Sequence, residues 1–285
     1  MTDHKTIRAN GVDFAYLEEG EGTPVLLLHG FPDTFNTWRP VMKRLAQAGF
    51  RAIAPAMRGY APTGPAADGD YAVPTLARDV IALLEHFGIQ KGHVVGHDWG
   101  SVATQFAANL RPDRFEKIVI AAVPHLRKFL LHPTGAQLKR SHYMARFQAP
   151  MWAEAVLPKN NFEWVENVLW RRWSPTWNFT DDDILPVKAN LADPRRLKAA
   201  LAYYRGMLPL FANPLQMRVA FRAIEVPTLA IYGTEDGCIG PEMFQKQERY
   251  FKAGLETVEM QGRGHFMQAE DPDAFAAAVV GFFGR

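Results

Sequence analysis

Val94-Val95-Gly96-His97-Asp98-Trp99-Gly100-Ser101 decides the fold. His93 to Val95 is an apolar run that predicts a short buried strand. Val102 to Leu110 predicts a helix, with Val102, Phe106 and Leu110 on one face. Between them Gly96 and Gly100 bracket Asp98, two residues away on either side. A strand turning this sharply into a helix leaves no room for a Cβ at those two positions. The apex residue is lifted clear of the sheet and set beside a helix N-terminus, where backbone N–H groups favour negative charge. An aspartate at the apex narrows the chemistry. A carboxylate attacks carbonyls poorly, but it can displace a leaving group from an sp3 carbon and form an ester that water later hydrolyses. Taken alone, the same eight residues also read as a tight turn with a solvated Asp.

The flanking chain alternates strands with helices. Ile7 to Leu17 alternates apolar and polar residues around Asn10-Gly11, a hairpin signal. Buried strands are expected at Val25–Leu28, Arg51–Ala54, Phe115–Val123, Thr228–Tyr232 and Glu256–Met260. Helices are expected at Asn36–Ala48, from Thr75 to Phe87, at Pro241–Phe251 and at Pro272–Phe283. This rhythm predicts an α/β fold, a mostly parallel sheet with helices on both faces. It breaks between residues 127 and 217, which carry no strand runs but five of the seven tryptophans and many prolines. We read residues 127–217 as a helical cap inserted between core segments 1–126 and 218–285, its aromatics partly packing and partly lining a pocket.

Composition excludes several classes. With 285 residues, 48% hydrophobic and 22% charged, the chain is an ordinary globular protein with one sizeable core. A net charge of +2 gives no reason to expect nucleic acid or an anionic membrane as partner. The single cysteine, Cys238, permits no intrachain disulfide and reads as a small packing residue. No stretch has the length of a membrane span, and Met1 to Lys5 lacks the apolar run of a signal peptide, so the cytoplasm is the expected location.

Asp98, Asp236 and His265 follow one another along the chain, each just after an expected strand. Open α/β sheets gather their sites at such strand ends. A neutral imidazole at His265, held in one tautomer by Asp236, would activate the water that frees an ester on Asp98. Glu235 is the rival acid; Asp236 is preferred for its place past the strand. His29-Gly30-Phe31-Pro32 follows the strand beside the elbow. The backbone N–H groups of Phe31 and Trp99 are the expected oxyanion hole, with His29 and Pro32 as substrate contacts.

His29-Gly30-Phe31-Pro32-Asp33 with Trp38, Gly96-His97-Asp98-Trp99-Gly100, and Gly264-His265-Phe266 together resemble the epoxide hydrolases of the α/β-hydrolase superfamily. The likeness covers nearly the whole chain, cap included. It implies an α/β-hydrolase fold, a small epoxide and water as partners, no cofactor and no metal, with a homodimer left open. It also implies two cap tyrosines that hold the epoxide oxygen. Ser141-His142-Tyr143 and Ala202-Tyr203-Tyr204-Arg205 match the family's motifs, making Tyr143 and Tyr204 the pair. Opening an epoxide creates an alkoxide, and a phenol of pKa ~10 can hydrogen-bond the ring oxygen and protonate it. The chain departs from the family at Ala56, where an Asp commonly precedes the Arg-Gly-Tyr turn seen here at Arg58-Gly59-Tyr60. That change removes a loop-ordering carboxylate.

Two other readings compete. Haloalkane dehalogenases share the Asp-Trp elbow but typically carry Asn where Phe31 stands, and fluoroacetate dehalogenases usually carry Arg where Trp99 stands. A ligand-binding protein on a hydrolase scaffold is the non-enzymatic alternative, though a pure binder has no use for His265 opposite a carboxylate.

Overall fold

The computed structural model describes residues 3–149 and 151–284. Eight strands form one sheet in the order β1-β2-β4-β3-β5-β6-β7-β8. They are β1 (Lys5–Ala9), β2 (Val12–Glu19), β3 (Thr23–Leu28), β4 (Phe50–Pro55), β5 (Gly92–His97), β6 (Phe115–Ala121), β7 (Thr228–Gly233) and β8 (Leu255–Met260). The β1/β2 hairpin and the β2/β4 pair are antiparallel, and every later pairing is parallel. Asn10 and Gly11 both take positive φ at the hairpin, as the sequence predicts for an Asn-Gly turn.

Both faces of the sheet are covered, which explains the continuous apolar runs. Successive residues serve opposite faces. Leu26, Leu28, Val94, Ile118 and Ile120 join one buried cluster, packed by helices Val73–His86 and Trp99–Leu110. Val25, Leu27, Val95, Val119 and Ile231 join the other, packed by helices Arg39–Gln47 and Pro272–Phe283.

The chain leaves the sheet after β6 and returns at β7, the neighbouring strand. Between them the described residues form helices only, from Leu126–Leu131 to Pro214–Phe221. Their starts are well specified. Thr180 and Asp183 make a capping box for Asp181–Ala192. Asp193 caps Pro194–Arg205, with Pro194 at its first position. No helix among the described residues is long and apolar enough to cross a membrane.

Two expectations are corrected. Pro241–Phe251 is not one helix: only Pro241–Met243 and Glu248–Tyr250 form single turns, and Lys246 between them has φ +59°. The buried Gln247 accepts the His125 amide through its side chain, a tertiary contact that local pattern does not reveal. Thr75 does not cap its helix, which begins at Val73, but hydrogen-bonds Asp70 instead. The loop after β4 keeps its order despite Ala56. Arg58, fully buried, forms a two-pronged pair with Asp79 at 2.7 Å, reaches Asp68, and donates to the Asp70 carbonyl.

Candidate active site

Asp98 sits at the apex between β5 and the helix Trp99–Leu110, with φ +51° and ψ −115°. A non-glycine residue rarely adopts that backbone, and it persists only where its surroundings over-determine it. Here they do. A Cβ on Gly96 would collide with the Gly100 backbone, and one on Gly100 with the Leu28 carbonyl of β3. Ser101 locks the turn further, its hydroxyl lying at hydrogen-bond distance from the carbonyls of Gly96 (2.6 Å) and Ala121 (2.7 Å).

The side chain so raised meets the loop after β3. The Phe31 amide donates to Asp98 Oδ1 at 2.7 Å. Gly30 must lack a Cβ because Asp98 fills that space. On the other side His265 Nε2 stands 3.7 Å from Asp98 Oδ2 and has no hydrogen-bond partner among the described residues. His265 Nδ1 bonds Asp236 Oδ2 at 2.9 Å, and Asp236 Oδ1 accepts the amides of Cys238 and Ile239. Glu235, the rival acid, is exposed.

All three are buried. Desolvation pushes the His265 pKa down, but the Asp236 and Asp98 carboxylates outweigh it and hold the imidazole at about 10. Two facing carboxylates favour the protonated imidazole while Asp98 is free; the neutral form expected from the sequence belongs to the stage at which Asp98 is esterified. His97, beside it, is held by burial at about 3 and stays neutral; its Nε2 donates to the His265 carbonyl at 2.8 Å. Asp33, four residues beyond His29, is the charged neighbour that the motif reading passed over. Burial raises its pKa to about 7, the Thr34 amide and Thr37 oppose that rise, and Asp98 and His265 both act on it. Gln268 donates to it at 3.3 Å. No sequence pattern ties Gln268 to Asp33; the chain closes on itself to pair them.

The helical segment supplies the roof. Tyr143, on helix His142–Gln148, and Tyr204, on Pro194–Arg205, have ring centroids 5.9 Å apart. Burial drives both phenols well above their ordinary pKa, and the Asp98 charge adds to the rise. The Tyr204 hydroxyl has no hydrogen-bond partner among the described residues, while Tyr143 lies 3.5 Å from Cys238 Sγ. Tyr203 points elsewhere and donates to the Arg58 carbonyl. With Asp98 and Trp99, the two tyrosines line a small cavity. Its remaining wall is apolar: Val123, Leu126, Phe129, Met144, Met207 and Ile239, with Val102 beneath.

Neither His29 nor Pro32 is among the residues lining that cavity. The His29 ring is fully buried, held neutral by burial at about 4, and its Nε2 accepts the Met57 amide. The Pro32 carbonyl accepts the Trp170 indole N–H. Both hold the loop through these hydrogen bonds. Trp99 packs its ring against Tyr204 at 5.0 Å.

Segment 173–174 ties the roof to the triad. The Trp173 carbonyl accepts both the Gly237 and His265 amides, and its ring lies 5.0 Å from His265. Ser174 Oγ accepts the Phe266 amide and donates to Glu270, which also accepts the Gly264 amide. Ligand atoms of Asp236, Cys238 and His265 lie within 4.8 Å of one another, a donor set for a thiophilic metal. Asp236 and His265 already spend their facing atoms on each other.

Residues 23–272 match the family described as alpha/beta hydrolase fold. The chain is 30% identical over 271 residues to AB hydrolase superfamily protein YfhM of Bacillus subtilis (strain 168), across 93% of this chain and 92% of that protein. It is 30% identical over 314 residues to a Caballeronia sordidicola protein named epoxide hydrolase, across 97% and 92%. The crystal structure of epoxide hydrolase VrEH1 from Vigna radiata superposes with a TM-score of 0.85 at 26% identity, across 99% of this chain and 97% of that one. Sequence match and superposition agree over the length that carries Asp98, Asp236 and His265: the chain is a hydrolase and belongs to the α/β-hydrolase fold family.

Proposed function

We propose that the chain is an epoxide hydrolase that works through an ester on Asp98, with residues 127–217 as its cap. A carboxylate oxygen of Asp98 attacks an epoxide carbon, the ring C–O bond breaks, and the oxygen takes a proton from Tyr204 or Tyr143. Esterification removes the Asp98 charge, one of the two that raise the His265 pKa. The imidazolium then gives its proton to the tyrosinate and becomes a base. It takes a proton from water, which attacks the Asp98 carboxyl carbon. The Phe31 and Trp99 amides hold the developing oxyanion, and the diol departs as Asp98 is restored. The carboxylate thus switches the histidine from acid to base as it reacts.

The observation that carries this reading is one cavity lined by both Asp98 and Tyr204, whose hydroxyl makes no hydrogen bond among the described residues. A phenol buried with no protein acceptor is costly unless a ligand supplies one. Dehalogenation has weaker support, since Phe31 offers a leaving halide no side-chain N–H. The test is His265→Gln mixed with an aryl epoxide and followed by mass spectrometry of the digested protein. An adduct of epoxide mass on the Asp98 peptide is expected, absent in Asp98→Asn. No adduct in His265→Gln, or halide release from bromoalkanes without epoxide turnover by the unaltered protein, overturns the reading.

A further inference from the structure

The net charge of +2 hides an uneven distribution. No acidic residue occurs between Glu116 and Glu154, a span holding six lysines and arginines. None occurs between Asp193 and Glu225, which holds six more. The fold brings one helix of each span together. Helix Leu126–Leu131 from the first and helix Pro214–Phe221 from the second flank an open groove of about 870 Å³, lined by Arg127, Leu131, Met217, Arg218 and Phe221.

Four large apolar side chains on or next to these helices are exposed: Leu131 (43%), Leu208 (58%), Phe211 (42%) and Leu215 (75%). Phe211 joins the groove through Phe221, 6.3 Å away between ring centres. Elsewhere in the two spans Arg140, Arg195, Arg196 and Arg205 are paired with carboxylates. Arg222 pairs with Glu225, and Arg127 lies over the Tyr250 ring, but Lys128 and Arg218 have no acidic partner among the described residues. Projecting leucines and a phenylalanine within a basic rim match the boundary of an anionic bilayer, where apolar tips enter the acyl region and cations meet lipid phosphates.

The face also adjoins the catalytic cavity. Leu126 and Phe129 line that cavity from the same short helix whose Arg127 and Leu131 line the groove. Met207 lines the cavity directly before the exposed Leu208. One helix therefore separates the groove from the apolar wall above Asp98.

We propose that this face docks the protein on an anionic lipid surface and that its substrate is an apolar epoxide dissolved in that lipid. The substrate half rests on the epoxide-hydrolase reading; the docking half does not. The proposed attachment is peripheral; no helix among the described residues is long and apolar enough to cross a membrane.

The test is cosedimentation of the unaltered protein, Leu215→Glu and Arg218→Glu with vesicles of phosphatidylglycerol and phosphatidylcholine, or of phosphatidylcholine alone. The expected result is binding to the anionic vesicles only, weakened roughly tenfold by either substitution and reversed at about 1 M salt. Neither residue lines the cavity, so both variants keep their turnover of a water-soluble epoxide, which also shows that they fold. Equal binding to both vesicle types, no binding to either, or unchanged binding by both variants overturns the proposal. So does a dimer in solution that Leu215→Glu splits, because the face would then belong to a second copy. If no epoxide is turned over by any of the proteins, the functional reading fails while the vesicle result still decides docking.

Discussion

The sheet and the helical segment above it hold their functional groups by different means. Asp98, Asp236 and His265 stand at strand ends, fixed by backbone: a positive φ, two close-packed glycines, and amides of Phe31, Cys238 and Ile239 donating to the carboxylates. Tyr143 and Tyr204 are fixed by rings. Phe31, Phe147 and Trp99 surround Tyr204 at 5.0–5.3 Å, and Trp173 and Phe147 lie 5.1–5.4 Å from Tyr143. Backbone placement tolerates almost no change at its tight positions, whereas ring placement leaves the polar tip free for substrate. One half of the site is therefore rigid charge, and the other is apolar shape with a phenol at its edge.

Breaking the charge half has the largest expected effect. Asp236→Asn should lower turnover by roughly 10²–10⁴-fold, because the imidazole loses the partner that orients it and stabilises its proton. Steady-state kinetics check this, and a loss below tenfold contradicts it. The same change bears on stability. His265 has a folded pKa of about 10 against an ordinary 6.5, so its contribution is fully present below 6.5 and fades as pH rises toward 10. Melting temperature should therefore fall across that window in the unaltered protein and change less in Asp236→Asn.

Gly100→Ala is the next test, aimed at the backbone. Its methyl would press on the Leu28 carbonyl and backbone, which cannot swing aside as a flexible side chain would. We expect a loss of about 3 kcal/mol in urea unfolding, at the upper end for overpacking. A loss under 1 kcal/mol would show the elbow to be looser than described. Tyr204→Phe tests the ring half and should separate function from stability. Epoxide opening should slow by about 10- to 100-fold, since a proton donor is lost. Urea unfolding should move by less than about 1 kcal/mol, because the hydroxyl makes no hydrogen bond among the described residues. An unchanged rate of Asp98 alkylation would remove Tyr204 from the chemistry.

Much of the sheet was legible in the chain because local pattern and tertiary position agree there. Val25–Leu28, Thr228–Tyr232 and Gly96/Gly100 each carry their own reason: runs buried on both faces, and a turn that admits no Cβ. Pro241–Phe251 failed because Gln247 serves His125, more than a hundred residues away, and the chain bends to allow it. His29 and Pro32 were read as ligand contacts because motif position says which loop nears the site, not which way each side chain turns. Ala56 suggested a looser loop, and the Arg58–Asp79 pair that holds it joins residues from separate elements.

By itself the sequence determined the alternation of strand and helix, the aspartate at a turn only small neighbours permit, and the acid and histidine after later strands. These follow from periodicity and sterics acting over a few residues. Only the tertiary structure decided that His265 lies between two carboxylates, that the Tyr204 hydroxyl makes no hydrogen bond among the described residues, and that Arg127 and Arg218, far apart in sequence, line one groove. Each depends on what burial excludes and what distant segments bring close, and no window of the chain contains that information.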